Sequence, residues 1–197
     1  MTITPTGTVC WSAIWNKHRE KIGLQHLVLT AGTATSVILD IDDDDSPFRL
    51  DYQLRWAQSG CLLSADLTLE KGGKKRLLSL HADGLGHWKH PDGKLIPELD
   101  GCLDIDIWPT PFTNSFPIWR TPMNTGQKVE FHVAWIDGTQ LAFKTKLQAY
   151  SKLGERRYLF ESLDRSHFKA VLSLDKDGLV LDFPDLFQRI GLGGEPG

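Results

Sequence analysis

The chain contains no run near the roughly 20 consecutive apolar residues that a membrane-spanning helix needs. Its first residues, Met1-Thr2-Ile3-Thr4-Pro5-Thr6, have neither the basic nor the apolar region of a secretory signal. Cysteine is scarce: Cys10, Cys61 and Cys102 form an odd set without C-x-x-C spacing, which excludes a disulfide framework and a zinc ribbon. They read as reduced, partly buried thiols, so the expected compartment is cytoplasmic. Positive charge is not in excess either. With 22 Lys and Arg against 25 Asp and Glu, the net charge of -3 leaves no basic footprint for nucleic acid or an anionic membrane surface. G-x-S-x-G, H-E-x-x-H and the Walker phosphate loop are all missing, and Gly84-Leu85-Gly86 lacks the strand-then-helix setting of a dinucleotide site. No cofactor is expected.

At 197 residues and 41% hydrophobic content, the chain is long and apolar enough to bury a core without staples. A single β domain over 1–190 is expected, with a flexible, glycine-rich tail at 191–197. Period-two alternation is the strongest signal, because a strand sends successive side chains to opposite faces. Phe48, Leu50, Tyr52, Leu54 and Trp56 alternate with charged or polar residues. So do Cys61, Leu63, Ala65, Leu67 and Leu69, then Val129, Phe131, Val133 and Trp135. Leu141, Phe143 and Leu147 follow, interleaved with Lys144, Lys146 and Gln148, and Phe168, Ala170, Leu172 and Leu174 close the series. One apolar and one charged face per strand point to antiparallel pairing with a solvated side.

Turn dipeptides separate these runs: Ser59-Gly60, Gly72-Gly73, Asp83-Gly84, Asp92-Gly93, Asp137-Gly138 and Asp177-Gly178. The expected fold is therefore mainly β, a curved antiparallel sheet forming a partial barrel or sandwich, with one or two short helices. Pro184 to Ile190 is the helix candidate, with Pro184 early and Gly191 just past its end. Asp83-Gly84-Leu85 and Asp177-Gly178-Leu179 echo each other, the pattern an internal duplication would leave. Asp42 to Asp45 repel one another and suit an exposed loop.

The most unusual stretch is PELDGCLDIDIWPTPFTNSFPIWRTP at 97–122. On a strand, Leu103, Ile105 and Ile107 point one way, and Asp104 and Asp106 the other. Pro109, Pro111, Pro117 and Pro122 then interrupt pairing and stiffen an extended loop. Thr113, Asn114 and Ser115 supply donors and acceptors there, and Arg120 offers a planar cation to the carboxylates. The order from Pro97 to Arg120 resembles the putative glycolipid-binding family of bacterial proteins. Gly126, Tyr150, Arg157-Tyr158, Phe168, Asp177-Gly178-Leu179-Val180 and Pro184-Asp185-Leu186 continue the resemblance at matching distances. It implies a curved sheet similar to the partial barrels of lipoprotein carriers, and a role in binding lipid or glycolipid. The chain departs from the family pattern at Trp119, where an Arg is expected, and at Gln25-His26, where an acid is expected.

The ligand-binding candidates are Trp88, Asp104, Asp106, Thr113, Asn114, Trp119, Arg120 and Tyr158. Asp104 and Asp106 would lie roughly 6.5–7 Å apart along a strand, within the range of glycosidase carboxyl pairs. However, same-face neighbours project in parallel instead of flanking a bond, so they read better as a clasp for the loop beside a ligand cavity. Trp88, Trp108 and Trp119 suit an apolar or sugar-stacking wall, and equally a core. His81, His87 and His90 match no metal template, and no metal is expected. Non-catalytic binding of lipid or glycolipid is the leading expectation. A glycoconjugate hydrolase using Asp104 and Asp106, or an interaction module whose concavity its own side chains fill, are the alternatives.

Overall fold

The computed structural model describes residues 5–15 and 22–191. Apart from Gly191, the expected tail at 191–197 lies outside the described residues. The chain forms one open, curved, fourteen-stranded sheet. In chain order the strands are β1 (Gly7–Ala13), β2 (Gly23–Thr30), β3 (Thr33–Ile41), β4 (Pro47–Trp56), β5 (Leu62–Lys71), β6 (Lys74–Ala82) and β7 (Trp88–Lys89). They continue with β8 (Asp104–Trp108), β9 (Lys128–Asp137), β10 (Ala142–Gly154), β11 (Arg157–Ser162), β12 (Lys169–Leu174), β13 (Val180–Phe183) and β14 (Phe187–Ile190).

The strand order is β7-β6-β5-β4-β3-β2-β1-β14-β13-β12-β11-β10-β9-β8. The chain thus starts mid-sheet, walks outward to β7, passes to the opposite edge at β8 and walks back. β1 and β14 close the middle, with Cys10 opposite Ile190 and Ala13 opposite Phe187. The expected turn dipeptides all fall between or beside strands. The expected mainly β, curved sheet is what forms.

The pairing is antiparallel except between β8 and β9, which run parallel. Parallel neighbours require a crossover. Here it is the Pro-rich segment, which is not the extended loop expected of it. Phe112–Asn114 make a 3₁₀ turn that runs into a helix, α1 (Ser115–Arg120). Pro117 is tolerated because it stands in the first turn, where backbone N–H groups have no partner inside the helix.

This crossover packs on the apolar face of β1–β6. Phe112 and Phe116 are fully buried in a cluster with Trp11, Leu27, Ile38, Leu50, Leu54 and Trp56. Their rings and that of Trp119 meet edge-on, at centroid separations of 5.6 to 5.9 Å. Trp119 also donates Nε1–H to the carbonyl of Asp177 at 2.8 Å, and Ser115 donates to that of Gly178 at 2.9 Å. Gly178 sits at φ +75° with the Trp119 ring where a Cβ would project, so only glycine suits this turn. A second cluster fills β9–β14, built from Phe131, Tyr150, Phe160, Leu172, Phe183 and Phe187.

Four sequence expectations are corrected. Pro184 to Ile190 is not a helix: Asp185 turns at φ +64°, and Phe187–Ile190 form β14, which pairs with both β1 and β13. Tertiary pairing outweighs the capping pattern there, because β1 would otherwise present an open edge. In β5, Ala65, Leu67 and Leu69 are buried as read, but at its start Leu62 is buried and Leu63 exposed, the reverse of the alternation read from Cys61. A bulge at Leu63, the extra residue opposite Arg55 and Trp56, places Trp56 opposite Leu62 and shifts the phase. In β10 the inward residues include Gln148 and Tyr150, whereas Leu147 is half-buried. Asp42 is buried, paired with Lys71 and accepting the N–H groups of Asp44 and Ser46 at 3.0 Å.

The Asp-Gly-Leu echo does not superpose. The turn-making acceptor is Asp83 in one place and Asp175 in the other, two residues before Asp177. Each takes the N–H groups two and four residues on, as Asp42 also does, so a local turn solution recurs. Because Phe112 plugs the first half of the sheet, Phe112→Ala should cost about 3–5 kcal/mol in urea unfolding. A loss under about 1 kcal/mol would mean that the crossover does not support this half.

Candidate functional site

β8 has a different chemistry on each face. Ile105 and Ile107 join the first cluster, together with Ala134 and Ile136 of β9, their register partners. Asp104 and Asp106 face the second half, where Gln148 and Tyr150 project from β10. The strand therefore partitions the inside of the sheet, and both its faces are covered. On this strand the Asp face turns toward the second half of the sheet and the crossover, where Asp104 is buried and Asp106 half-buried.

Asp104, 1% exposed, receives Nε and Nη2 of Arg120 at 3.0 and 2.6 Å, a bidentate pair. Burial pushes the Asp104 carboxyl up while Arg120 pulls it down, and the carboxylate in turn raises Arg120. The Arg120 guanidinium also lies over the Phe131 ring at 5.7 Å. Asp106 has different partners. It accepts from Thr113 Oγ1 at 3.2 Å and from Gln148 Nε2 at 2.6 Å, while Thr113 Oγ1 accepts the N–H of Ile107 at 3.1 Å. Burial raises the Asp106 carboxyl against these bonds. Asn114 donates to the Tyr150 hydroxyl at 2.8 Å, whose pKa burial and the Asp106 charge push well above the usual range.

Beside this polar wall lies a cavity of about 280 Å³. Its aromatic side is Phe160, Phe168, Phe183 and Phe187, and its polar side includes Asp106, Asn114, Gln148, Ser162 and Asp164. A second, more polar hollow of about 380 Å³ is lined by Trp15, Asp42, Asp43, Asp44, Asp137 and Thr139. Trp108, Trp135 and Lys146 line both, so the two meet there. Trp15 and Trp108 pack edge-on at 5.3 Å, and Trp15 donates to buried Asp40 at 2.9 Å. Lys146 Nζ sits 3.9 Å from the Trp135 ring centroid and 3.4 Å from Asp164. Hydrogen bonds from Ser166 hold the Asp164 carboxyl far below the usual range.

Of the residues singled out from sequence, Asp106 and Asn114 line the cavity. Thr113, Asp104 and Arg120 stand behind them as supports. Trp88 is buried in the first cluster and donates to the Cys102 carbonyl at 2.8 Å. Trp119 packs with Trp56, and Tyr158 is buried in the second cluster with Lys152 Nζ 5.9 Å from its ring centroid. These three are not brought to the cavity. At the departure from the family pattern, Gln25 is buried and bonded to Ser36, Tyr52 and Thr110, so an amide serves a closed, uncharged ring. Burial raises the Tyr52 hydroxyl to about 12.

Sequence reasoning missed Gln148, Lys146, Phe160, Phe183 and Phe187 as lining residues. The signal for Gln148 was its two-residue spacing from Tyr150, which placed a polar side chain on an inward face. Removing Arg120 should leave Asp104 buried and unpaired. Arg120→Ala is expected to cost about 3–5 kcal/mol at pH 7. A carboxyl with a raised folded pKa favours the folded state when protonated, so the deficit should shrink as pH falls through that raised value toward about 4. Urea unfolding at pH 7 and pH 4.5 checks this, and a deficit independent of pH contradicts it.

A search of curated proteins finds no match. Among solved structures, the chain is similar to a DUF1089 family protein from Pseudomonas aeruginosa, at 44% identity and a TM-score of 0.84. The match covers 85% of this chain and 92% of that one. The sequence profile described as putative glycolipid-binding matches residues 8–189, so by sequence and by fold the chain belongs to that family.

Proposed function

We propose that this protein binds an amphiphilic glycoside, without transforming it, in the cavity between the polar face of β8 and the aromatic side chains of β11, β13 and β14. The observation that carries the reading is the pairing of Phe160, Phe168, Phe183 and Phe187 with Asp106, Asn114 and Gln148 across one cavity. A sugar ring has an apolar C–H face and a rim of hydroxyls, and these two walls match them. Aromatic walls with a few placed polar groups are the usual composition of small-ligand sites. At about 280 Å³ the cavity suits a headgroup or short chain segment, and the hollow beyond Trp108 and Trp135 offers further room. The family description supports the same ligand class. The crossover fills the other half of the sheet, so the filled-concavity alternative holds for that half only. No helix among the described residues is long and apolar enough to cross a membrane.

Hydrolysis is favoured by one observation. Asp106 is raised and Asp164 lowered on the same cavity, the divergence that separates an acid from a carboxylate partner. Asp104 takes no part in this reading, since Arg120 occupies both its oxygens.

Octyl β-glucoside, titrated below its micelle concentration and followed by calorimetry, should bind and raise the melting temperature. Phe168→Ala should weaken it about tenfold, the worth of a partly buried aromatic contact. Trp88→Phe should leave the affinity unchanged. The bound glucoside should be recovered intact: recovery of octanol and glucose would establish the hydrolase reading, and no binding would remove both.

A further inference from the structure

β6 is the long strand beside one end of the sheet, and β7 covers little of it, pairing only with His81 and Ala82. The tight turn at Gly72-Gly73 makes Lys71 and Lys74 a hydrogen-bonded pair, so Lys74, Arg76, Leu78 and Leu80 exchange ladder bonds with β5. Lys75, Leu77 and Ser79 therefore aim their main-chain N–H and C=O groups away from the sheet. No backbone group of another segment among the described residues bonds to these three. The undescribed residues join the chain beside β1, β2 and β14, on the far side of β3, β4 and β5. At the opposite end of the sheet, β8 is covered: Thr113 accepts the N–H of Ile107, and the Ile107 carbonyl accepts that of Thr110.

An open edge of this kind is a template for another strand. Lys74, Lys75 and Arg76 are exposed on it and oppose any strand that would lay like charges against them. A second copy of β6, antiparallel about a two-fold axis at Leu77, avoids that clash. Leu77, 75% exposed, then stands opposite its own copy, Lys75 opposite Ser79 and Arg76 opposite Leu78, with no two cations face to face. The charges also match. Ser79 donates to Asp66 of β5 on the outer face. The second copy's Lys75, beside Ser79, lies about 10 Å from Asp66 across two strand spacings, within the joint reach of the two side chains. Glu70, which Lys75 meets at 3.3 Å in the single chain, is exposed, so that pair contributes little that the exchange would lose.

We propose that the free edge of β6 pairs with β6 of a second copy of this chain, joining the two sheets into one across a two-fold axis at Leu77. The same patch serves both copies, as such an axis requires. About six ladder bonds and one pair of leucines are less than an obligate interface supplies, so the dimer forms at high protein concentration. It is independent of the ligand reading.

Sedimentation velocity of the intact protein from about 1 to 500 µM tests it, with dimer expected to form at roughly 10–100 µM. Leu77→Lys sets two cations against each other at the axis and should weaken association at least about tenfold. Its melting temperature as a monomer should not change, because Leu77 is exposed. Amide hydrogen exchange reads the edge in the unaltered protein: Leu77 and Ser79 should gain protection as concentration rises, while Leu78, already bonded to β5, should not change. If Leu77→Lys does not fold, the exchange still decides. A monomer throughout the range overturns the proposal. So does a dimer whose Leu77 and Ser79 amides stay unprotected, since it forms elsewhere. Protection of those amides by an added poly-glutamate peptide, without self-association, would give the edge to an acidic partner and overturn the second copy.

Discussion

The two-faced strand β8 is the constraint on which the rest of the molecule depends. Its Asp-Ile-Asp-Ile alternation must satisfy two different environments at once, because one face lies in the apolar core and the other, with Asp104 buried and Asp106 half-buried, lines the second half. Ile105 and Ile107 close the apolar face of the first half. Asp104 and Asp106 present charge to the second half, where burial disfavours it. Arg120 satisfies Asp104 from one side, and Gln148 and Thr113 satisfy Asp106 from the other. The first arrangement anchors the crossover helix to the strand. The second holds Asp106 and Gln148 together on the wall of the cavity.

That division separates what the sheet buries from what it leaves open. A curved sheet this large exposes more concave apolar surface than its own strands cover. The chain answers with Phe112, Phe116 and Trp119 over β1–β6, pinned through Ser115 and Trp119 to the turn at Asp177 and Gly178. Nothing comparable from the described residues covers the aromatic side chains around Phe160 and Phe183, and a cavity remains there. One segment thus plugs half of the concavity and, through Asn114, forms part of the wall of the other half.

Much of the fold was legible because alternation and turn chemistry are local. β4 reads directly from Phe48 to Trp56, and each expected turn dipeptide falls where the chain reverses or breaks its pairing. What was not legible depends on partners distant in sequence. The phase of β5 changes at a bulge near its own start, where Leu63 is the extra residue opposite Arg55 and Trp56 of β4, and β14 is a strand because β1 lies beside it. Sequence identified the 97–122 segment and its polar residues. It did not show that Asp104 and Asp106 take separate partners, since Arg120 and Gln148 arrive from different elements. Tryptophan content overstated the site for the same reason: Trp88 and Trp119 are spent on packing and carbonyl bonds, while Trp108 and Trp135 border the cavity.

The central claim is that the partition leaves one half of the sheet filled and the other half as the binding site. A crystal structure of the protein grown with octyl β-glucoside tests it most directly. The account predicts density for the glucose ring between Phe160 and Phe183 on one side and Asp106 and Asn114 on the other. Density seated against β1–β6 in place of Phe112 and Phe116, or on the outer face of the sheet alone, would contradict it.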